Sequence, residues 1–275
     1  MKILITGGNG YIARNLKRLL TNKGYEIHAP SHADLDLLNR PLLTTYFETN
    51  RFDAIIHCAT KGGRRYEKDT FEEVYVPNIT MFENLTIAAT KEKPIILFGS
   101  GAEFDRRNDI TKCREATVYS SWPIDPYGLS KNIITRRTRP NMWMLRLFGC
   151  FNYDEDNERF IKNCILNIKQ NTPIKIHKNK IMDFFFLDDI LPIIERILKG
   201  EYTAKNINLV YPLKMDLITI ADEIAKYARI SKYSFEICNP GMANEYTGNG
   251  EILDSLNLPL VGLQEGIRRT VKELI

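Results

Sequence analysis

Lys2-Ile-Leu-Ile-Thr6, followed at once by Gly7-Gly-Asn-Gly10-Tyr-Ile-Ala13, is the stretch that decides the fold. A short β-branched run breaks into glycines and then into the periodic Leu16, Leu19 and Leu20, which reads as strand, tight turn and helix. From Gly8 the turn fits G-x-G-x-x-A, and from Gly7 it fits G-x-x-G-x-x-A, with Ala13 as the small residue that lets helix and strand approach. Glycines let a backbone close on a pyrophosphate, and the exposed amides at the helix N-terminus attract its charge. A dinucleotide site at the head of the chain is therefore expected.

Working outward, Tyr25-Glu-Ile-His-Ala-Pro30 is the second strand. An NAD site usually ends this strand in Asp or Glu, which takes the ribose hydroxyl. Here Ala29-Pro30-Ser31-His32 follows, with no acid before Asp34. Without that carboxylate nothing repels a 2′-phosphate, so NADP(H) is the preferred cofactor, with NAD(H) possible since no arginine clamps the phosphate. Asp53 to Ala59 is the third strand, apolar on both faces as a parallel strand should be, and Lys61-Gly62-Gly63 ends it. Pro77 to Thr90 reads as a helix, and Lys93 to Phe98 as the fourth strand, closing at Gly99-Ser100-Gly101. This alternation requires a doubly wound parallel sheet of the Rossmann type, with ligands outside the carboxyl ends of its strands, where Ser100 falls.

Tyr127-Gly-Leu-Ser-Lys131 puts a phenol and an ammonium about one helical turn apart, on one face. Among 13 tyrosines it is the one Tyr-x-x-x-Lys in the chain. A free phenol has a pKa of about 10, and a cation beside it favours the phenolate, bringing it toward use in proton transfer near neutral pH. Asp125 suits the N-cap and Pro126 the first helical position. Trp143 to Phe148 is a further buried strand. Beyond it the alternation loosens: helices at Phe160 to Ile168, Asp188 to Leu198 (capped by Asp188 or Asp189), Asp216 to Ala228 and Gly262 to Leu274, and short strands at Ile174 to Ile176 and Phe184 to Phe186. The expected organisation is a dinucleotide-binding domain over 1–150, with a returning strand near 205–211, and a smaller C-terminal α/β substrate lobe over 151–275.

Composition narrows the class. The 275 residues are 44% hydrophobic and 26% charged with net charge +4, ordinary values for a soluble enzyme-sized chain. The densest basic cluster, Arg136, Arg137 and Arg139, suits a solvated helix face or an anion site better than a nucleic-acid surface. Five widely spaced cysteines without Cys-x-x-Cys read as reduced thiols, and no apolar run approaches the roughly 20 residues of a membrane span, so a cytoplasmic protein without membrane or nucleic-acid partners is expected. His28, His57 and His177 share no ligand spacing with another His, Cys or acid, and no metal is expected.

Thr6-Gly-Gly-Asn-Gly10-Tyr-Ile-Ala13, His57-Cys-Ala59, Phe98-Gly-Ser100 and Tyr127-x-x-x-Lys131, in that order, resemble the extended short-chain dehydrogenase/reductases of the NAD-dependent epimerase/dehydratase family, which act on nucleotide sugars. Asp34-Leu-Asp-Leu-Leu-Asn39, Ala59-Thr-Lys-Gly-Gly63 and Asp183-Phe-Phe-Phe-Leu-Asp-Asp189 are similar to segments of the GDP-fucose synthase and NDP-4-keto-6-deoxy-sugar reductase branch. The resemblance implies that Ser100 hydrogen-bonds the reacting oxygen, Tyr127 donates the proton, and Lys131 holds the nicotinamide ribose and tunes Tyr127. It further implies a cofactor lined by Gly7, Gly10, Tyr11, Ile12, Ser31, His32, Asp36, Leu37, Cys58, Ala59 and Lys61. The nucleotide-sugar substrate would lie by Gly101, Ala102, Gly149, Arg159 and Lys162, in a homodimer.

The departures from that family are informative. Its 4,6-dehydratases carry an adjacent Asp-Glu after the position of Ser100; here stand Gly101 and Ala102, with Glu103 one residue out of register. GDP-fucose synthase carries a Cys and a His for epimerisation, and the corresponding positions are Ala102 and, nearby, Arg159. The Arg of the family's Arg-Asp-Phe motif is Met182. These replacements favour simple NAD(P)H-dependent reduction of a 4-keto-6-deoxy sugar, in deoxysugar synthesis for surface polysaccharide. A nucleotide-sugar 4-epimerase and a non-catalytic dinucleotide-binding regulator are the alternatives.

Overall fold

A computed structural model describes residues 1–63, 68–89, 93–202 and 204–275. Strand β1 (Lys2–Thr6) runs into the glycine turn, and helix α1 (Tyr11–Asn22) follows with Gly10 at its cap. Then come β2 (Glu26–His28), α2 (Arg40–Thr49), β3 (Ala54–His57), α3 (Val76–Ala88) and β4 (Ile95–Ser100). Thr90, the expected end of α3, lies outside the described residues. A short β5 (Ile110–Cys113), the helix α4 (Pro126–Arg136) and β6 (Met142–Leu147) complete the N-terminal half.

The central sheet has six strands in the order β10-β6-β4-β3-β1-β2, with β10 (Asn206–Leu209) the returning strand. Strand β1 lies parallel to both β2 and β3, with Thr6 opposite His57, and β3 lies parallel to β4. Leu4 packs with Phe82, Leu85 and Ile134 of α3 and α4, while Ile3 and Ile5, which alternate to the other face, are equally buried. Both faces are therefore covered, as continuous apolar strands require. Each such side chain removed from water contributes about 1.5–3 kcal/mol.

Contacts divide the chain into one unit of Met1–Asp105, Glu115–Arg146 and Ile193–Ile207, and a second of Arg106–Arg114, Leu147–Pro192 and Asn208–Ile275. The chain thus passes between units several times, where a boundary at residue 150 and one returning strand near 205–211 were expected. Within the second unit β7 (Cys150–Phe151) pairs with β9 (Phe185–Phe186), β8 (Ile174–Ile176) with β11 (Phe235–Ile237), and β5 with β12 (Tyr246–Gly248). Helices α5 (Phe160–Gln170), α7 (Leu217–Tyr227) and α8 (Leu263–Leu274) pack together, and α6 (Ile190–Leu198) follows a 3₁₀ turn.

Local chemistry fixes these elements. Asp216 caps α7 by accepting from the Thr219 amide at 2.8 Å. Asp189, expected with Asp188 as the alternative cap of α6, instead accepts from the amides of Val261 and Gly262 at 2.7 and 2.9 Å, and from the Tyr211 hydroxyl. A carboxylate held by three donors from the C-terminal segments has been diverted from its own helix. Phe184, Phe185 and Phe186 are core, as the apolar run suggests. Among the described residues no helix is long and apolar enough to cross a membrane.

Candidate active site

Helix α4 begins where Asp125 and Pro126 predict. The Asp125 carboxylate accepts from the Gly128 amide at 2.8 Å, and Pro126 occupies the first helical position. That start places Tyr127 and Lys131 on one face, with the Lys131 Nζ 5.7 Å from the centre of the Tyr127 ring. Lys131 is buried, and its ammonium donates to the Phe98 carbonyl at 3.0 Å, near the carboxyl end of β4. Burial pushes its pKa down to about 8, opposed by the nearby Glu103 and Cys58.

Gly63 closes on the tyrosine from the other side. With φ of +76° it occupies the left-handed region, and a Cβ there would meet Tyr127 Cε2 and Cζ at 2.9 Å. The loop carrying it is tied to α4 through Asn78. That side chain accepts from the Lys61 amide at 2.8 Å, donates to the Lys61 carbonyl at 3.1 Å and donates to Ser130 Oγ at 3.1 Å. Ser130 in turn donates to the Tyr127 carbonyl at 2.7 Å. Ser100 caps a 3₁₀ turn over Gly101–Glu103, its hydroxyl accepting from the Ala102 amide at 3.2 Å.

The glycine turn packs directly against its neighbours. Gly7 has φ of +68° and lies so near Ala59 that a Cβ would fall 2.8 Å from the Ala59 Cα, while a Cβ on Gly8 would meet the Ala29 carbonyl at 2.3 Å. No side chain caps α1, whose first amides are thereby left to the turn. These residues fit a dinucleotide. His57 is buried and bonded to Thr6 Oγ1 at 2.8 Å through Nδ1, and desolvation holds its pKa at about 3, so it stays neutral and structural. The Cys58 thiol is pushed up by burial.

Other expected residues are placed differently. Leu37 is core, clustered with Leu35, Leu43 and Met81, and its carbonyl accepts from Asn84 Nδ2 at 2.9 Å. Asp36 turns its carboxylate to the Leu38 amide at 2.9 Å and faces His32 at 3.6 Å. Asp34 folds back on Ser31, accepting from its hydroxyl at 2.6 Å and its amide at 3.1 Å, so a carboxylate does stand at the end of β2. Gly101 and Ala102 are buried beneath α4, where a Cβ on Gly128 would meet the Ala102 carbonyl at 2.4 Å. Arg136, Arg137 and Arg139 are held by protein groups: Arg136 by the Val118 and Ser121 carbonyls and the Trp122 ring at 4.0 Å, Arg137 by Glu83, Arg139 by the Thr86 carbonyl. That excludes a preformed anion site at the cluster.

In the second unit Gly149 admits the backbone of Asp183, whose carbonyl a Cβ would meet at 2.9 Å, and its own carbonyl accepts from Phe185. Lys162 donates to the Glu155 carbonyl at 2.7 Å. Arg159 is exposed at the start of α5. The buried Glu155 accepts from the Lys162 amide at 3.1 Å, and burial raises its pKa to about 8. Asp183 is bound by both oxygens to Lys214 Nζ at 2.8 Å and accepts from the Gly248 amide. Desolvation, partly offset by Lys214, raises it to about 6.

Sequence reading passed over Asn78, Ser130, Asn132 and the buried Arg146, and weighed the buried Glu103 only as a dehydratase acid out of register. Arg146 carried a usable signal: an arginine inside the apolar run Trp143 to Phe148 must find a carboxylate.

A six-stranded parallel sheet with a glycine turn after its first strand is a Rossmann-type fold of the reductase and epimerase kind. The chain belongs to the NAD dependent epimerase/dehydratase family, which matches residues 3–209. It is 37% identical over 90 residues to GDP-L-colitose synthase of Yersinia pseudotuberculosis, a stretch covering 32% of this chain and 29% of that protein. A match to the GDP-L-fucose synthase of Azorhizobium caulinodans spans 19% of that relative, so both alignments take in under a third of their partners. The fold is shared along its whole length with a dTDP-4-dehydrorhamnose reductase of Clostridium acetobutylicum, at TM-score 0.84 and 18% identity, covering 100% of this chain and 99% of that one. It is shared too with a UDP-glucose 4-epimerase of Thermus thermophilus solved with NAD (TM-score 0.77, 14% identity, 100% and 99% covered). A GDP-mannoheptose C4 reductase of Campylobacter jejuni, solved with NADP, is a third such structure (TM-score 0.81, 14% identity, 99% and 97% covered).

Proposed function

We propose that the chain reduces the 4-keto group of a nucleotide-linked 4-keto-6-deoxy sugar with NADPH, in deoxysugar synthesis for surface polysaccharide. The observation that carries this reading is the placement of Tyr127 and buried Lys131 on one face of α4, against the end of the strand that bears Ser100. NADPH, when bound along the glycine turn, supplies the hydride that adds to the carbonyl carbon. The Tyr127 hydroxyl gives its proton to the carbonyl oxygen as negative charge develops there, and the Ser100 hydroxyl donates a hydrogen bond to the same oxygen. Lys131, already desolvated, supports the negative charge left on the phenol oxygen.

Reduction without elimination or epimerisation is supported by what is missing beside Ser100. Gly101 and Ala102 bring no acid or base, and Glu103, the nearest carboxylate in sequence, is fully enclosed and bound to Arg146. The preference for NADPH over NADH rests on the sequence Ala29-Pro30-Ser31, and Asp34 counts against it. A homodimer belongs to the same reading: Val76 and Ile87 leave apolar side chains of α3 half exposed.

The test is consumption of NADPH and, separately, NADH with 4-keto-6-deoxy sugars carried on GDP, dTDP, CDP and UDP. Turnover on one of them, reduced about 10²- to 10⁴-fold in Tyr127→Phe with cofactor binding kept, is the expected result. No consumption of either cofactor on any substrate would sink the reading, and NAD retained through purification would turn attention to the 4-epimerase.

A further inference from the structure

Glu103 has no chemical part in that reaction, yet it is built into the site more firmly than any residue that does. Its carboxylate is completely buried. Oε1 accepts from the Ser100 amide at 2.9 Å, and Oε2 accepts from Thr135 Oγ1 at 2.8 Å and from Arg146 Nε and Nη2 at 2.9 and 2.6 Å. Its carbonyl accepts from Asn132 Nδ2 at 2.9 Å. Arg146 is just as buried, its guanidinium 5.1 Å from the centre of the Phe104 ring.

A pair of this kind is a poor device for stability alone, since desolvating two ions is costly and apolar residues of similar volume often serve as well. Its distinguishing property is geometric. The donors to the carboxylate come from the end of β4, from Thr135 of α4 and from β6, while Asn132 of α4 holds the carbonyl, so one residue fixes the backbone of Ser100 relative to the helix that carries Tyr127 and Lys131. Gly99 permits the closure: a Cβ there would fall 2.3 Å from Glu103 Oε1.

We infer that Glu103, held by Arg146, is a positioning residue that sets the Ser100 hydroxyl against the Tyr127 face of α4 and stands as the buried counter-charge of Lys131. The inference rests on the reductase reading. Among the described residues four groups bear on the Lys131 ammonium: His57 and Cys58 at the end of β3, Tyr127 on α4, and Glu103. His57 is neutral and the Cys58 thiol is pushed up, so Glu103 is the anion among them. Its charge favours the ammonium against the burial that brings Lys131 down to about 8, and removing that charge moves the Lys131 titration to lower pH.

Two variants test this. Glu103→Gln removes the charge and keeps the shape. The double variant Glu103→Leu with Arg146→Met leaves no unpaired ion and decides the matter where the single one does not fold. Each is measured for kcat and KM with NADPH and the sugar that wild type reduces, and the Lys131 titration is followed by NMR of ¹³Cε-labelled lysine, assigned with Lys131→Met. The expected result is a folded protein whose kcat falls about 10- to 100-fold while KM changes less than about threefold, with the Lys131 titration moved below that of wild type in Glu103→Gln, which keeps Arg146. A kcat within about twofold of wild type in either variant, or an unmoved Lys131 titration in Glu103→Gln, overturns the inference. If wild type reduces none of the sugars, the reductase reading falls, while the titration still decides whether Glu103 is the counter-charge.

Discussion

The two units treat the residues expected to act in them in opposite ways. In the sheet unit Ser100, Tyr127 and Lys131 are drawn together, and backbone, Asn78 and Glu103 fix the segments that carry them. In the C-terminal unit the expected substrate contacts are spent on the protein itself: Lys162 on Glu155, Gly149 on the backbone of Asp183, while Arg159 stands exposed. The difference teaches that the alternation of strand and helix dictates where chemistry can occur, whereas recognition depends on which charges a lobe leaves over after folding. Even the two pairs of buried charges divide this way, Glu103 and Arg146 beside the candidate catalytic groups, Asp183 and Lys214 joining segments of the second unit.

That contrast is tested most severely by Lys214→Met. It leaves Asp183 buried with its cation gone and should cost about 3–5 kcal/mol in urea unfolding at about pH 9, well above the pKa of about 6 at which the carboxyl could escape by taking a proton. Lys214 favours the ionised carboxylate, so its contribution is present above the Asp183 pKa of about 6 and is lost as pH falls through it; the cost should shrink at pH 5. A loss below about 1 kcal/mol at about pH 9 would mean the pair joins nothing.

Gly63→Ala acts in the other unit. Its left-handed φ and the contact at 2.9 Å with Tyr127 predict a drop of about tenfold or more in kcat for about 1–2 kcal/mol of stability. Full activity at an equal loss of stability would show that the loop does not bear on the tyrosine.

Glu155→Gln sharpens the comparison by raising stability. Burial raises Glu155 to about 8, so the stability linked to its protonation is present below its ordinary value and is lost as pH rises through about 8. The glutamine keeps an acceptor for the Lys162 amide and has no charge to bury. Its Tm should exceed that of wild type by at least about 2–4 °C at pH 9, by less at pH 6, and match it at pH 4, below the ordinary value. The smallest effect is expected from Asp34→Asn, which removes the carboxylate folded on Ser31. The ratio of NADPH to NADH affinity should rise about fivefold, and an unchanged ratio would place the 2′-phosphate away from this turn.

Much of the sheet unit was legible. The glycine turn, the third and fourth strands and the start of α4 all follow from local rules that tertiary structure reinforced. The Asp125 cap and Gly7 stand where turn and helix chemistry require them. Asp34 was set aside because a carboxylate six residues past β2 counts as absent in a linear pattern, although a tight turn returns it to Ser31. Glu103 was compared with a family register and found displaced by one, yet its partner Arg146 is 43 residues away and no local pattern links them. In the second unit β5 and β12 pair across more than 130 residues, and Asp189 caps a distant segment in place of its own helix. Such contacts are set by packing alone, which is why sequence periodicity faded there.

The stack of Arg136 on Trp122 has an optical consequence. The chain carries two tryptophans, one of them the buried Trp143 beneath the Lys205 ammonium, and the other Trp122, 56% exposed and four residues before the start of α4. Their emission should separate into a blue component and a red one. The red component, from a ring stacked against the Arg136 guanidinium, is a native reporter of any rearrangement at the head of the Tyr127 helix, with no dye attached.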